Sequence, residues 1–174
     1  MTNKSLFRNT ELTYFKISIF LFAYLSLYLS LYLGEDSTGG AILDYGNQRN
    51  VIGEFIKNFN FAFFNYDVLP YTTRHSPILI SFLAILKNLN LSEFMIKFIY
   101  IHINLLLPIF FYKSLKIKFK KIDTNYLFLL SILIFLSPTF RTLIIWPDSR
   151  ILGVTLFTIS IFYFLKFIDN NKFK

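Results

Sequence analysis

Asp44 and Asp148 are the residues of this chain best placed to carry out acid–base chemistry. Each follows a long apolar run, at residues 17–33 and 126–140 respectively. A carboxylate can act as a general base towards a hydroxyl group, and partial burial beneath lipid head groups makes it a stronger base. Aspartate also caps helices or simply lies in solvent, so each position has a structural interpretation beside the catalytic one.

Two further acidic residues, Glu35 and Asp36, compete with Asp44 for the role of base. They directly follow the apolar run at residues 17–33. A position at the very end of a predicted helix favours helix termination as their role, and Asp44 is therefore the preferred candidate.

Two arginines, Arg141 and Arg150, bracket Asp148 in a short turn. A guanidinium group can bind phosphate through two parallel hydrogen bonds, so this pair could clamp a phosphate. The alternative is anchoring to lipid head groups, and the two interpretations carry equal weight. Asp148 itself could cap a helix that begins near Ile151.

A polar, turn-rich stretch at residues 70–77 holds three more candidate substrate contacts, Tyr71, Arg74 and His75. No second metal-type ligand stands near His75, so a zinc site is not favoured. The chain has no cysteine, which excludes a thiolate metal site and a disulfide framework. A divalent cation held by carboxylates is left open.

Ionisable residues inside the apolar run at residues 94–112 have structural explanations. We expect His102, in the middle of a helix, to be neutral and hydrogen-bonded. Lys97 lies four residues after Glu93, and a helical ion pair is expected between them.

The elements that must position these residues are membrane helices. The 174 residues are 55% hydrophobic and 20% aromatic, with a mean hydropathy of +0.52, and the apolar residues form long runs. This composition is typical of a polytopic membrane protein. The net charge of +8 comes from lysines and arginines that flank the apolar runs, as membrane orientation requires, and it does not favour nucleic-acid binding.

Four apolar runs are long enough to cross a bilayer: residues 17–33, 94–112, 126–145 and 151–168. An outer loop at about residues 34–93 separates the first two. Within it, residues 51–64 show an amphipathic helical pattern, which predicts a helix that lies in the membrane interface. Residues 78–86 are apolar but too short to span, so we predict that they do not cross; a strongly tilted crossing is the alternative.

Basic residues set the predicted topology. The amino terminus, the lysines at 113–121 and the carboxyl tail are all basic, and basic flanks favour the cytoplasmic side. Four crossings satisfy this requirement and place Asp44 and Asp148 together on the non-cytoplasmic side. The sequence therefore predicts an all-α, polytopic transmembrane bundle in the cell (inner) membrane, with both termini cytoplasmic.

The order of these features resembles the amino-terminal part of the GT-C superfamily of polytopic glycosyltransferases. The similar branch contains protein O-mannosyltransferases, aminoarabinose transferases and rhizobial galacturonosyltransferase-like proteins. The matching pieces are Asp44 ahead of an amphipathic helix, the segment HSPILISFLAIL, the Leu91-Ser92-Glu93 stretch with Lys97 where the family more often has arginine, and Ser137-Pro138 followed by Asp148. The family's Asp-Glu pair in the first loop is Asp44-Tyr45 in this chain.

The resemblance implies transfer of a sugar from a polyprenyl-phosphate donor to a lipid, glycan or protein acceptor on the outer face. It implies Asp44 as base, Asp148 as a second carboxylate that orients an acceptor or a metal, and Arg74, His75, Arg141 and Arg150 as phosphate contacts. We expect residues 1–174 to form a single membrane domain, the first portion of a larger GT-C module. The alternatives are a non-catalytic assembly or transport subunit and an inactive truncated fragment.

Overall fold

The computed structural model describes residues 3–37, 39–69 and 76–170, with side chains described from Thr13 onward. This part of the chain is helical and contains no strand, which confirms the predicted all-α class. Its α-helices are α1 (Asn3–Leu33), α2 (Ala41–Lys57), α3 (Phe59–Phe64), α4 (Pro77–Asn88), α5 (Glu93–Asn104), α6 (Leu106–Lys118), α7 (Thr124–Leu136), α8 (Pro138–Ile145) and α9 (Ser149–Asn170), and a 3-10 turn covers Tyr66–Val68.

Three helical stretches of the described chain are long and apolar enough to cross a membrane: Thr13–Leu33, Glu93–Lys118 and Ser149–Asn170. The predicted crossing at residues 126–145 is not one straight helix, because α7 and α8 meet at an angle of 62°. Ser137 ends α7 with extended backbone, and Pro138, which lacks an N–H group, starts α8. The bent pair makes a fourth crossing if it is counted as one span.

The outer faces of the long helices carry the apolar side chains that a membrane requires. Within α1, Ala23 and Leu27 are fully buried, whereas Leu25 and Leu29 on the other face are exposed. In α9, Phe157 is 67% exposed and belongs to a similar outer face. Apolar surface of this extent on single helices fits contact with lipid.

Contacts between helices define their directions. Thr155 of α9 donates a hydrogen bond to Asn104 of α5 at 2.8 Å, and further along Lys120 after α6 pairs with Asp169 near the end of α9. The α5–α6 stretch and α9 therefore run parallel, and the chain returns between them through α7 and α8.

Helix α1 runs opposite to α5. Tyr24 contacts the His102 ring, with 3.1 Å between Oη and Nε2, and the ring of Tyr28, one turn later, packs on Phe98, one turn earlier. The start of α1, the lysines at 113–121 and the end of α9 consequently lie at one end of the bundle, which we call the lysine end. Its assignment to the cytoplasm stays a prediction.

The first loop contains short helices that pack on the opposite end of the bundle. The sequence placed Asp44 in a loop and the amphipathic helix at residues 51–64, and both boundaries were wrong, because α2 already begins at Ala41 and ends at Lys57. Asn58 leaves the helical conformation, with φ −152° and ψ 94°, and its side chain caps α3 by accepting a hydrogen bond from Phe61 at 3.1 Å.

Helix α4 is the short apolar segment of the first loop. Pro77 occupies its first turn and Ser76 caps it, a favourable start for a helix. Its 12 residues correspond to about 18 Å of helix, well below the roughly 30 Å of a hydrocarbon core. Leu79 and Leu83 bury one face of α4 in the common core, so the helix packs on its neighbours in the first loop.

Candidate functional site

Asp44 and Asp148 meet on one guanidinium group, that of Arg150. Its Nη2 atom lies 2.6 Å from Oδ2 of Asp148 and 3.3 Å from Oδ2 of Asp44, and its Nε atom donates to Oδ1 of Asp148 at 2.9 Å. The two aspartates that the sequence singled out are therefore neighbours at the same end of the bundle. We call this end, which also carries Glu35, the carboxylate end.

Asp148 is the buried member of the pair, with 2% of its surface exposed. It caps α9, since its Oδ1 atom also accepts the backbone N–H of Arg150 at 2.7 Å. Its carbonyl oxygen accepts a hydrogen bond from the hydroxyl of Tyr100. The carboxylate is thus fixed by the helix start and in turn fixes the Arg150 side chain.

Asp44 is the accessible member of the pair. It lies in the first turn of α2, where its N–H bonds to the carbonyl of Gly40 at 2.9 Å. Its side chain is 45% exposed and its contact with Arg150 is longer than that of Asp148. Of the two aspartates, Asp44 is the one that a molecule arriving from outside can reach.

Glu35 and Arg141 form a second ion pair at this end. Arg141 donates from Nη2 to Oε1 at 2.9 Å and from Nε to Oε2 at 3.0 Å, and its Nη1 atom donates to the carbonyl of Leu136. The pair with Arg141 is the main reason why the pKa of Glu35 falls to about 2. Glu35 also ends α1, as predicted, because its backbone N–H donates to the carbonyl of Ser30 at 3.0 Å, so the ion pair is an additional role.

The first loop is fastened to α8 by further hydrogen bonds around this pair. The indole N–H of Trp146 donates to the carbonyl of Glu35 at 2.9 Å, and the backbone N–H of Ser37 donates to Oγ1 of Thr142 at 3.2 Å. Asp36, predicted to end the first helix, caps the next one, because its Oδ1 atom accepts the N–H of Ala41 at the start of α2.

Lys97 lies beneath this loop with most of its side chain buried. Its Nζ atom is 3.4 Å from the ring centroid of Trp146 and 5.3 Å from that of Tyr45, a cation–π arrangement. It also lies 3.7 Å from Oε1 of Glu93, so the predicted helical ion pair is present. Lys97 therefore links α5 to both α2 and the residue that precedes the Asp148 turn.

A cavity of about 340 Å³ lies between the end of α1 and the start of α5. Its lining is mostly apolar, with Lys97 and Glu93 as the charged members: Tyr28, Leu31, Tyr32, Glu93, Phe94 and Lys97. The cavity can hold an apolar chain, and a phosphate or other anion beside it would meet the Lys97 ammonium.

His102 is hydrogen-bonded on both ring nitrogens, as expected for a histidine in the middle of a helix. Nδ1 lies 2.7 Å from the carbonyl of Phe98 and donates to it, and Nε2 lies 3.1 Å from the hydroxyl oxygen of Tyr24. Tyr28 extends the cluster, with 2.9 Å between the two tyrosine oxygens. The cluster holds α1 against α5.

The predicted site residues thus divide into three groups. Asp44, Asp148 and Arg150 come together, and Arg141 lies at the same end but is paired with Glu35. Tyr71, Arg74 and His75 fall outside the described residues. The described side chains contain no group of three His, Cys, Asp or Glu residues that could hold a metal ion, and the cation between Asp44 and Asp148 is Arg150.

Sequence reasoning missed the ion pair between Glu35 and Arg141 and the cation–π contact of Lys97. One signal for Glu35 was available: acidic residues in the first loop and two arginines around Asp148 were predicted on the same side of the membrane, where opposite charges attract. No comparable signal exists for the contact between Lys97 and Trp146, since aromatic residues are abundant along the chain.

Comparisons with protein-family models, with curated proteins and with solved structures gave no match to this chain.

Proposed function

We propose that the protein is a membrane glycosyltransferase that transfers a sugar from a polyprenyl-phosphate donor to an acceptor on the non-cytoplasmic face. The observation that carries this proposal is the convergence of Asp44 and Asp148 on Arg150 at one end of the bundle, although 106 residues separate Asp44 from Arg150 in the sequence. A half-exposed carboxylate beside a guanidinium group supplies a base and an anion contact at the same place.

The reaction assigns a separate role to each group. Asp44 accepts the proton of the acceptor hydroxyl while that oxygen forms a bond to the anomeric carbon of the sugar. The bond between this carbon and the donor phosphate oxygen breaks, and its electron pair leaves with the polyprenyl phosphate. Arg150 stabilises the negative charge on the departing phosphate. Asp148 acts through Arg150 and is a positioning residue.

Arg150 is better suited to the phosphate than Arg141. Among the described residues the Nη1 atom of Arg150 makes no hydrogen bond, and the side chain is 59% exposed. Arg141 uses all three of its nitrogen atoms on Glu35 and a backbone carbonyl, and its side chain is only 20% exposed. Phosphate contact at Arg141 would require breaking that pair.

The apolar part of the donor needs a place near the carboxylate end. The 340 Å³ cavity between α1 and α5 opens there, and its walls are the apolar faces of Leu31, Tyr32 and Phe94. An isoprenoid chain can lie along these residues with its phosphate directed towards the basic side chains of the same end.

The decisive experiment is a transfer assay with membranes that contain the full chain and a polyprenyl-phosphate sugar donor. Asp44→Asn keeps the shape of the side chain and removes the base, so the rate should fall by roughly two to four orders of magnitude. Asp67→Asn is the matched control, because Asp67 is an exposed aspartate of the same loop outside the site. Equal rates in the wild type and Asp44→Asn would refute the proposal.

A non-catalytic assembly or transport subunit is the competing function. The observation in its favour is that the charged groups of this end largely satisfy one another, with Glu35 on Arg141 and Asp148 on Arg150. A subunit of this kind would bind its partner through the carboxylate end and show no turnover with any lipid-linked sugar.

A further inference from the structure

A second pocket lies between α2, α4 and the start of α5. Its volume is about 170 Å³, and its walls come from one face of α2, from α4 and from the first residues of α5. At about 30 Å³ for each water molecule, it has the volume of five or six waters. This space accommodates a phosphate head group but not the chains of a lipid.

Positive charge dominates the pocket. Arg49 and Lys87 are both exposed at its edge, and Glu93 is the acidic member of the lining. Glu93 lies 3.4 Å from Arg49 and 3.7 Å from the buried Lys97, so it is already shared by two cations. Among the described residues Lys87 forms no ion pair with a carboxylate. An anion is the ligand that this arrangement lacks.

The rest of the pocket is apolar. Ile52, Leu83 and Ile96 are buried at its base, and Ile56 is 42% exposed at the mouth. The only hydroxyl in the lining is that of Tyr45, whose burial raises its pKa to about 12, so it stays protonated and can donate a hydrogen bond. A ligand with a phosphate at the basic edge of the pocket and hydrocarbon against its apolar residues matches this arrangement.

Gly53 adds no side chain to the wall of the pocket. It lies in the middle of α2, where glycine is a poorer helix former than alanine, and a Cβ atom at this position would meet nothing within 4 Å. Helix packing therefore does not require glycine at this position. A larger side chain would project into space that the pocket occupies.

We infer that this pocket binds the phosphate head group of an anionic membrane phospholipid, with Arg49 and Lys87 on the phosphate and the acyl chains leaving past Ile56. The amphipathic helices α2 and α4 pack beside the membrane-spanning helices, where lipid head groups are the abundant anions. The inference does not rest on the proposed function, and its test requires no turnover.

The test is photo-crosslinking of the full chain in lipid nanodiscs, followed by mapping of the adducts by mass spectrometry. The probe is phosphatidylglycerol with a diazirine near its head group, and the phosphatidylcholine analogue measures binding without net negative charge. Each basic residue near a membrane surface contributes about a fivefold preference for anionic lipid. Arg49→Gln/Lys87→Gln should therefore lower adducts on α2 and α4 on the order of thirtyfold.

Two further variants separate the pocket from general charge. Gly53→Leu fills the pocket without changing any charge and should also abolish these adducts. Lys113→Gln/Lys116→Gln removes two positive charges at the lysine end and should leave adducts on α2 and α4 unchanged. Adducts on residues 113–121 provide an internal control for the folding of every pocket variant.

The inference is overturned if phosphatidylcholine labels α2 and α4 as strongly as phosphatidylglycerol, or if Arg49→Gln/Lys87→Gln labels like the wild type. If Lys113→Gln/Lys116→Gln loses as many adducts on α2 and α4 as Arg49→Gln/Lys87→Gln, the binding is due to the overall positive charge of the protein. Displacement of the lipid adducts by inorganic phosphate alone would show that the ligand is a free phosphate. Retained phosphatidylglycerol labelling in its presence supports the lipid.

Discussion

Glu35 and Arg141 face each other through two hydrogen bonds of 2.9 and 3.0 Å, although 106 residues separate them in the sequence. Each side chain is only about one-fifth exposed, at 18% and 20%. A bidentate pair of this kind is stronger and more specific in its geometry than a single charged hydrogen bond, and partial burial reduces screening by salt. This contact ties the first loop to the helix that leads to Asp148.

The pair gives the protein a stability that depends on pH. The pKa of Glu35 is about 2 in the folded protein and 4.5 without its partners, so the contribution is complete above pH 4.5 and is lost as pH falls towards 2. At neutral pH, Glu35→Gln should lower the free energy of unfolding by about 1–3 kcal/mol, because Arg141 loses its charged acceptor. The variant should therefore unfold at a lower temperature than the wild type. Thermal unfolding in detergent across this pH range measures both effects.

The comparison in acid distinguishes this pair from general effects of protonation. Between pH 4.5 and 2 the difference in stability between wild type and Glu35→Gln should shrink, since the wild type loses the same interaction. Asp67→Asn, at an exposed position of the same loop, should follow the wild type throughout. A constant gap between wild type and Glu35→Gln in acid would show that the pair carries no such dependence.

The two ends of the bundle should label from opposite sides of the membrane. Ser37 and Lys121 are exposed, one at the carboxylate end and one at the lysine end, and the chain has no cysteine of its own. An impermeant thiol reagent added to intact cells should label Ser37→Cys and spare Lys121→Cys, because basic flanks favour the cytoplasm. The opposite pattern would reverse the assigned orientation. Asp148 is a poor labelling position because it is buried.

Features that depend on local sequence pattern, such as the long helices, could be predicted from the sequence. Long apolar runs predicted the helices that are long and apolar enough to span a membrane, and the basic clusters implied that Asp44 and Asp148 share one end of the bundle, where Arg150 joins them. The bend at Pro138 could have been anticipated from the proline alone, but its angle depends on how α8 packs. The start of α2 was missed because residues 41–50 are largely polar and carry little apolar periodicity.

Contacts between distant parts of the chain were harder to obtain. Two arginines lie at the same end of the bundle as Glu35, and Glu35 pairs with Arg141 whereas Arg150 pairs with Asp148. Lys97 could have paired with Glu93 alone, as helical spacing indicates, yet it also lies on the ring of Trp146. Such choices follow from tertiary packing, which a single sequence does not specify.

Replacement of Arg141 or Arg150 by lysine should show that the two ion pairs have different roles. Arg150→Lys keeps the charge but loses the two parallel hydrogen bonds from Nε and Nη2 that hold the side chain on Asp148, so transfer should fall about tenfold to a hundredfold. Under the proposed function most of this loss should appear as a higher KM for the donor. Arg141→Lys breaks the bidentate contact with Glu35 and should lower thermal stability with a smaller effect on KM. The reverse pattern would assign the phosphate to Arg141.

Substitutions at Asp44 and Asp148 should differ in their effects on the transfer rate and on stability. Asp148→Asn retains a side chain that can cap α9, so the fold should persist, and transfer should fall less than in Asp44→Asn because only the hold on Arg150 weakens. Asp148→Ala should in addition cost about 1–2 kcal/mol of stability through the lost cap. Transfer rates and unfolding temperatures of the three variants check this order. A larger loss of transfer in Asp148→Asn than in Asp44→Asn, at equal stability, would make Asp148 the base.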